Sequence, residues 1–376
     1  MATFILLIGL VMSELVSAFP TSGGIYWWAA KLGGPKAGYY TGWLNLVGLI
    51  AILASVAYGS ATFLDLVLGT FSESWLAGYS LTRTFWMFLV ILVIVATINI
   101  FSSHLLAVIN NISVWWHVIG AAAVVAILWL IPPEQHASFS TVFATTVNNT
   151  GFFGGSTSGF GFLLFVLPMS AILTQYTITG YDASAHLSEE TKSAANAAAK
   201  GIWRSIFYSA IGGWILLLTF LFAVQDVDGV TKGGGAVATI FSQAMDSKWV
   251  GIVLLISTAG QLFCTTACQT SASRMLFAFS RDRAVPGHQL WSKVNEKKVP
   301  ANAVMVTAAI AAILTLPALV KVDINGAPPV PIAFFAVVSI GVVGLYLCFA
   351  VPIYYRWKAG DSFTPGSWNL RGHHRW

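Results

Sequence analysis

Apolar segments of about 20 residues, the helix length that crosses a bilayer core, recur along the whole chain. The sequence predicts nine membrane spans, at residues 3–19, 38–68, 85–101, 105–131, 160–186, 202–224, 249–279, 302–320 and 332–355. The first has no basic segment before it and carries Glu14, so it is interpreted as a membrane helix and not as a signal peptide. We therefore expect an all-α polytopic membrane bundle, with residues 1–376 forming one transmembrane domain.

The composition excludes several classes of protein. Charged residues make up 9% of the chain and hydrophobic residues 57%, whereas about 25% of the residues of a soluble domain are charged. A soluble enzyme, a nucleic-acid-binding protein and a disordered scaffold are therefore excluded. The three cysteines, Cys264, Cys268 and Cys348, lie in apolar segments and are interpreted as small packing residues.

The basic residues indicate how the spans are oriented. Of the 19 Lys and Arg residues, 14 fall in one set of alternating connections and the tail, 4 fall in the other set, and Arg274 lies within a span. Positively charged loops remain in the cytoplasm. The distribution therefore predicts a cytoplasmic carboxyl terminus.

The fifth predicted span contains a segment that disfavours a continuous helix. Polar and β-branched residues and a glycine cluster between Gln175 and Asp182, and all of these weaken helices. We expect non-helical backbone around residues 177–180, with free backbone groups facing a cavity as in transporter half-helices. An alternative remains open, in which Gly180 is a close-packing glycine and Thr177 and Thr179 bond to their own helix.

Other polar residues within the spans have competing interpretations. Glu14 is expected near the cytoplasmic boundary, in a salt bridge or a helix cap. Asp182 is either a functional carboxylate or a helix cap, and the segment after His186 is interpreted as a helix leaving the membrane for water. A polar stripe on the seventh span either lines a path or joins helices; it comprises Gln261, Thr265, Thr266, Gln269, Thr270 and Ser273. Trp43 and Asn45 in the second span are further candidates for packing against a substrate.

Three separated motifs resemble the amino acid-polyamine-organocation superfamily, and most closely its amino acid/choline transporter branch of GABA and choline permeases. They are SELVSAFPTSGGIYWWAAKLGG at residues 13–34, TGYDASAHLSEET at residues 179–191 and SRMLFAFSRDRAVPG at residues 273–287. The resemblance implies an inverted-repeat transporter in which this chain corresponds to spans two to ten of twelve. We accordingly expect counterparts of the first and last spans to be missing, and the chain as written not to transport.

The resemblance also implies a substrate site and a function. The site comprises Tyr176, Thr177, Ile178, Thr179, Gly180, Tyr181 and Asp182 at the break, with contributions from Trp43, Asn45, Gln261 and Thr265. The implied protein is a multi-pass secondary transporter of the cell membrane that moves amino acids or small amines such as GABA or choline by alternating access. Its implied partners are the substrate, a coupled proton or cation and the lipid bilayer, with no cofactor. The alternatives are a non-transporting membrane protein, a channel and a membrane-embedded enzyme.

Overall fold

The computed structural model describes residues 1–101, 103–132, 137–232, 236–320 and 332–371. Lys321 and Arg375, which contribute to the charge asymmetry, lie outside these residues. The helices used below are α1 (Ala2–Ala18), α2 (Gly24–Gly33), α3 (Pro35–Phe71), α4 (Leu81–Phe101), α5 (Ser103–Leu130), α6 (Leu167–Ile178), α7 (Ala183–His186), α8 (Ala194–Phe222), α9 (Ser247–Arg281), α10 (Ala301–Thr315) and α11 (Ile332–Ala359).

Shorter helical segments connect these helices, and the described residues contain no strand. The segments are Glu73–Ala77, Phe139–Ala144, Phe152–Gly155, Gly159–Gly161, Phe162–Val166, Ser188–Glu190, Val227–Lys232, Ala236–Ala244, His288–Trp291, Leu316–Leu319 and Gly360–Ser362. The segment Phe162–Val166 is one turn of π-helix at the beginning of the fifth predicted span.

Each of the nine predicted spans corresponds to a helical stretch. Within the described part of the chain, eight stretches are long and apolar enough to cross a bilayer. The ninth, α1, is apolar but has only 17 residues, at the lower limit of about 17 for a span. The fifth stretch, Gly159–His186, is interrupted, as the next subsection describes.

Helix α3 occupies the centre of the bundle. In its most apolar window 78% of the residues are buried, against 11% for α8 at the periphery. It packs against α2, α4, α9, α10 and α11. A Cβ atom on Gly48 of α3 would lie 2.9 Å from the side chain of Leu345 in α11. Small residues of this kind allow membrane helices to approach closely.

The outward faces of the peripheral helices are apolar. Trp86 and Val93 on α4, Ile119 on α5 and Leu173 on α6 are each more than half exposed. A surface of this kind is compatible with lipid and not with water. The structure therefore confirms the all-α polytopic membrane bundle.

The carboxyl-terminal tail returns to α1. The Nε of Arg356 in α11 donates to Oε2 of Glu14 at 2.7 Å, and the amide of Leu370 donates to Oε1 of the same carboxylate at 3.1 Å. Both ion-pair side chains are buried, and the amide of Trp368 donates to Ser17 Oγ at 2.9 Å. The predicted structural salt bridge of Glu14 is confirmed, with Arg356 as its partner.

Candidate functional site

The fifth span is broken between α6 and α7. Helix α6 ends at Ile178, and Thr179 has extended backbone angles (φ −64°, ψ 153°). Gly180 then has a φ of +108°, and α7 begins at Ala183. The predicted discontinuity is confirmed, but Thr177 and Ile178 were wrongly placed in it, because both still belong to α6.

The threonine hydroxyls explain why the helix continues to Ile178. Thr177 Oγ1 donates to the carbonyl of Leu173 at 2.8 Å, and Thr179 Oγ1 donates to the carbonyl of Gln175 at 2.6 Å. The bonds of both hydroxyls to their own helix therefore agree with the alternative interpretation of the sequence. Thr179 closes the last turn, and the chain turns away after it.

Gly180 is required by its backbone conformation and not by packing. A φ of +108° is accessible to glycine at little cost, whereas residues with a Cβ avoid it. A Cβ placed on Gly180 would meet no atom within 4 Å. The interpretation of Gly180 as a close-packing glycine is therefore wrong.

The break leaves main-chain groups without helical partners. Residues 179–182 form a turn, and within the described part of the chain no well-aligned backbone hydrogen bond is donated by the amides of Gly180, Tyr181 and Asp182 or accepted by the carbonyls of Thr177 and Ile178. Such groups are tolerated in a membrane only where they line a cavity or are buried in protein. The break therefore places backbone amide donors and backbone carbonyl acceptors within a few residues of each other.

A cavity of about 430 Å³ borders the break. Its walls come from α3, α6, the break, α7, α8, α9 and α11. The lining residues are Leu49, Ile52, Val56, Tyr176, Thr177, Ile178, Thr179, Gly180, Tyr181, Asp182, Ala183, Ser205, Ser209, Gln261, Cys264, Ala267, Cys268, Ser271 and Leu345. Eight of the eleven predicted site residues, namely 176–182 and Gln261, are therefore brought together.

The other three predicted site residues lie elsewhere. Trp43 packs edge-on against Phe279, with ring centroids 6.0 Å apart. Asn45 is buried between α3 and α11, where its Nδ2 donates to Cys348 Sγ at 3.4 Å. Thr265 is buried against α3, with Oγ1 3.0 Å from Ser60 Oγ. None of the three lines the cavity.

Most of the polar stripe on α9 joins helices. Gln269 Nε2 donates to the hydroxyl of Thr307 on α10 at 2.8 Å, and Thr270 donates to Asn99 Oδ1 on α4 at 2.7 Å. Gln261 and Ser271, by contrast, line the cavity. One face of α9 therefore holds the bundle together while another contributes to the site.

Several cavity residues were not predicted from the sequence. Ser205 and Ser209 lie four residues apart on α8, and Cys264 and Cys268 have the same spacing on α9. This spacing places each pair on one face of its helix, so small polar residues four apart in an apolar helix were the available signal. Cys264 and Cys268 are partly buried and pack against the hydrophobic core, as the sequence predicts, and they also border the cavity.

The segment after the break stays inside the protein. His186 has no exposed surface and Asp182 is 1% exposed, with His186 Nε2 3.2 Å from Asp182 Oδ2. The helical stretch that is long enough to cross a membrane ends at His186, and the exit of the following segment from the membrane stays a prediction. The chain reaches the surface only at Glu189 and Glu190.

Those two glutamates bind α9 and the α1–α2 connection. Arg281 Nη1 and Nη2 donate to Glu189 at 2.9 and 3.0 Å, and the amide of Ser22 donates to its Oε1 at 3.0 Å. Arg274 Nε donates to Glu190 at 3.0 Å. The hydrogen bonds from Arg281 lower the pKa of Glu189 below its ordinary value.

Comparison with known proteins identifies the family. A family model described as "Amino acid permease" matches residues 1–363. The chain is 35% identical to the amino-acid permease BAT1 of Arabidopsis thaliana, over 98% of this chain and 72% of that protein. A BAT1 homolog of Oryza sativa subsp. japonica is also 35% identical, over 98% of this chain and 71% of its own length.

A more distant relative is the thiamine transporter thi9 of Schizosaccharomyces pombe, 26% identical over 96% of this chain and 64% of that protein. The bundle of apolar helices, the broken helix and the family match lead to the same assignment. The chain belongs to the amino acid permease family of the amino acid-polyamine-organocation superfamily.

Proposed function

We propose that this chain binds an amino acid at the break between α6 and α7 and belongs to a secondary transporter that moves it across the cell membrane by alternating access. The observation that carries the proposal is the group of free backbone amides and carbonyls at residues 177–182 beside the 430 Å³ cavity. A membrane transporter must bind a charged solute without a water shell. Unpaired main-chain groups supply the hydrogen bonds that replace it.

The arrangement of these groups suits a zwitterion. The amides of Gly180 to Asp182 are donors for a carboxylate, and the carbonyls of Thr177 and Ile178 are acceptors for an ammonium group. Tyr176 adds a hydroxyl, held 3.0 Å from Ser55 Oγ. Hydrogen bonds to charged groups each contribute roughly 1.5 to 3 kcal/mol, so two or three of them would account for micromolar to millimolar binding.

The same chemistry discriminates among substrate classes. GABA and α-amino acids have both a carboxylate and an ammonium group. Choline and the thiamine named for the relative thi9 are cations without a carboxylate, and they would leave the free amides unpaired. An amino acid is therefore the substrate class that this site fits best, in agreement with the names of the BAT1 relatives.

The transporter lies in the cell membrane with the carboxyl-terminal tail on the cytoplasmic side. Lys31, Arg281 and Arg356 lie in the last turns of α2, α9 and α11, and positively charged ends favour the cytoplasm. Coupling to a proton or another cation would drive uptake. A channel or an enzyme would not need the paired donors and acceptors of the break.

Binding by the purified chain in lipid nanodiscs tests the proposal. Radiolabelled amino acids, GABA, choline and thiamine are each titrated in a scintillation proximity assay. We expect saturable binding of at least one amino acid, with no competition from the corresponding amine that lacks the carboxylate. Saturable binding of choline or thiamine alone, or of no member of the panel, would overturn the proposal.

A further inference from the structure

A titratable pair lies directly behind the cavity wall. Asp182 and His186 are 1% and 0% exposed, and His186 Nε2 lies 3.2 Å from Asp182 Oδ2. The second carboxylate oxygen, Oδ1, and the second ring nitrogen, Nδ1, have no hydrogen-bond partner among the described residues. Asp182 also borders the cavity, so the pair is both buried and adjacent to the proposed substrate.

Among the described residues, Asp182 forms an ion pair with no side chain other than His186. Tyr181, Tyr346, Cys268 and Cys348 are among the ionisable side chains near Asp182. Tyrosine and cysteine are neutral or negative in every protonation state, so none of these can offset a negative charge.

The other elements packed against α7 contribute no compensating charge either. Helix α8 places Gly201 against Ser184 and α2 places Gly24 against Ala185, while Lys200 and Arg204 of α8 are exposed. On α2, Tyr26 donates its hydroxyl to Asp282. The remaining charges near this segment are already paired: Glu189 with Arg281 and Glu190 with Arg274.

The charge of the pair therefore depends on a single proton. Without it the pair has a net charge of minus one in a buried site, which is costly. With it the pair is neutral overall, whether the proton is on the imidazole or on the carboxyl group. We propose that the Asp182–His186 pair binds the proton that is coupled to substrate, and that this proton and the substrate carboxylate each strengthen the binding of the other.

The sign of the coupling between proton and substrate follows from the position of the substrate carboxylate. The carboxylate of the proposed substrate pairs with the amides of Gly180 to Asp182, so it lies next to the residue whose side chain carries the charge. A deprotonated pair repels the carboxylate, and a protonated pair does not. Thermodynamic reciprocity requires that binding of the substrate then increases proton binding. The inference rests on the proposed function, since it needs a substrate with a carboxylate.

The first test is the pH dependence of amino acid affinity in nanodiscs between about pH 5 and about pH 8. Wild-type protein binds more weakly as pH rises, by up to about tenfold per pH unit for one linked proton. The double variant Asp182→Asn/His186→Gln has no titratable group at the pair, and its affinity is independent of pH. The control is His117→Gln, which removes an exposed histidine of α5 whose ring bonds, among the described residues, to Ser113 alone, and it retains the wild-type profile.

The second test needs no variant. Substrate is added to wild-type protein in weakly buffered solution that contains a pH indicator, and proton uptake of up to one per bound substrate is expected. Flat affinity in the wild type, proton release on binding, or an unchanged pH profile in Asp182→Asn/His186→Gln would overturn the inference while leaving amino acid binding established. Absence of binding at every pH would instead overturn the proposed function, and the inference with it.

Discussion

At the scale of single residues, the site depends on one backbone conformation. Gly180 has a φ of +108° with open space where a Cβ would lie, so any other residue strains the turn without filling a gap. The strain of placing a Cβ in such a conformation is about 1 to 2 kcal/mol. This strain would act on the turn that presents the free amides of residues 180–182.

We expect Gly180→Ala to weaken amino acid binding by about tenfold, which corresponds to about 1.4 kcal/mol, because relaxation of the turn moves the amides. The matched control is Gly213→Ala in α8, where a Cβ also finds open space but φ is not positive. Alanine stabilises a helix interior relative to glycine, so this control should bind normally and unfold at the same or a higher temperature. Equal affinities for the two variants would contradict the role assigned to Gly180.

The residue scale also indicates what a sequence can predict. The cluster of helix-weakening residues located the break to within two residues, because helix propensity is a local property. Asn45 bonds to Cys348, and Thr265 bonds to Ser60. Each of these partners lies on another helix, so a local pattern in the sequence does not predict the contact. The burial of His186 likewise depends on neighbouring helices and not on the polar residues that follow it.

At the scale of elements, the segment Ser188–Glu190 connects three parts of the bundle. Glu189 accepts hydrogen bonds from Arg281 at the end of α9 and from the amide of Ser22 between α1 and α2. The carboxylate must be ionised to keep the two-pronged contact with the guanidinium group. The pKa of Glu189 is lowered below its ordinary value of 4.5, chiefly by the hydrogen bonds from Arg281.

Because the folded-state pKa is lowered, this contact stabilises the protein fully above the unfolded-state pKa and loses its effect as pH falls through the folded-state value. We expect Glu189→Gln to lower the unfolding temperature at neutral pH, with a cost of about 1 kcal/mol or less because the pair is partly exposed. The difference from wild type should disappear in acid below pH 4.5. Thermal unfolding, monitored by tryptophan fluorescence, measures the difference in unfolding temperature between the variant and the wild type.

The matched control for this prediction is Glu73→Gln, which removes an exposed carboxylate from the connection between α3 and α4. It should leave the unfolding temperature nearly unchanged at every pH. A difference between Glu189→Gln and wild type that grows as the solution becomes more acidic would contradict the proposed ionised contact.

At the scale of the whole molecule, hydropathy was sufficient to predict the helical membrane architecture. A bilayer requires about 20 apolar residues per helix, so the sequence locates the ends of the spans to within eight residues, the largest difference being at the start of α8. Amphipathic α2 and the short segments Phe139–Ala144 and Ala236–Ala244 were not predicted. They do not cross the bilayer, and their boundaries are determined by packing against the ends of longer helices.

Cysteine labelling tests the orientation of the bundle. In a background without Cys264, Cys268 and Cys348, Ser156→Cys should react from outside intact cells with a membrane-impermeant maleimide, and Ser292→Cys should react only after permeabilisation. Ser156 is exposed and precedes the broken span, whereas Ser292 follows the His288–Trp291 segment on the other face. The reverse labelling pattern would contradict the cytoplasmic placement of the carboxyl-terminal tail.

The ion pair between Glu14 and Arg356 has a consequence for biogenesis. Its two residues are separated by 342 positions, so during synthesis the carboxylate of Glu14 emerges long before its partner. Until α11 is inserted and the amide of Leu370 donates to Glu14, the Glu14 carboxylate lacks the partners that compensate its charge in the folded protein. Closure of this contact marks the moment at which the first and last described helices have both been inserted.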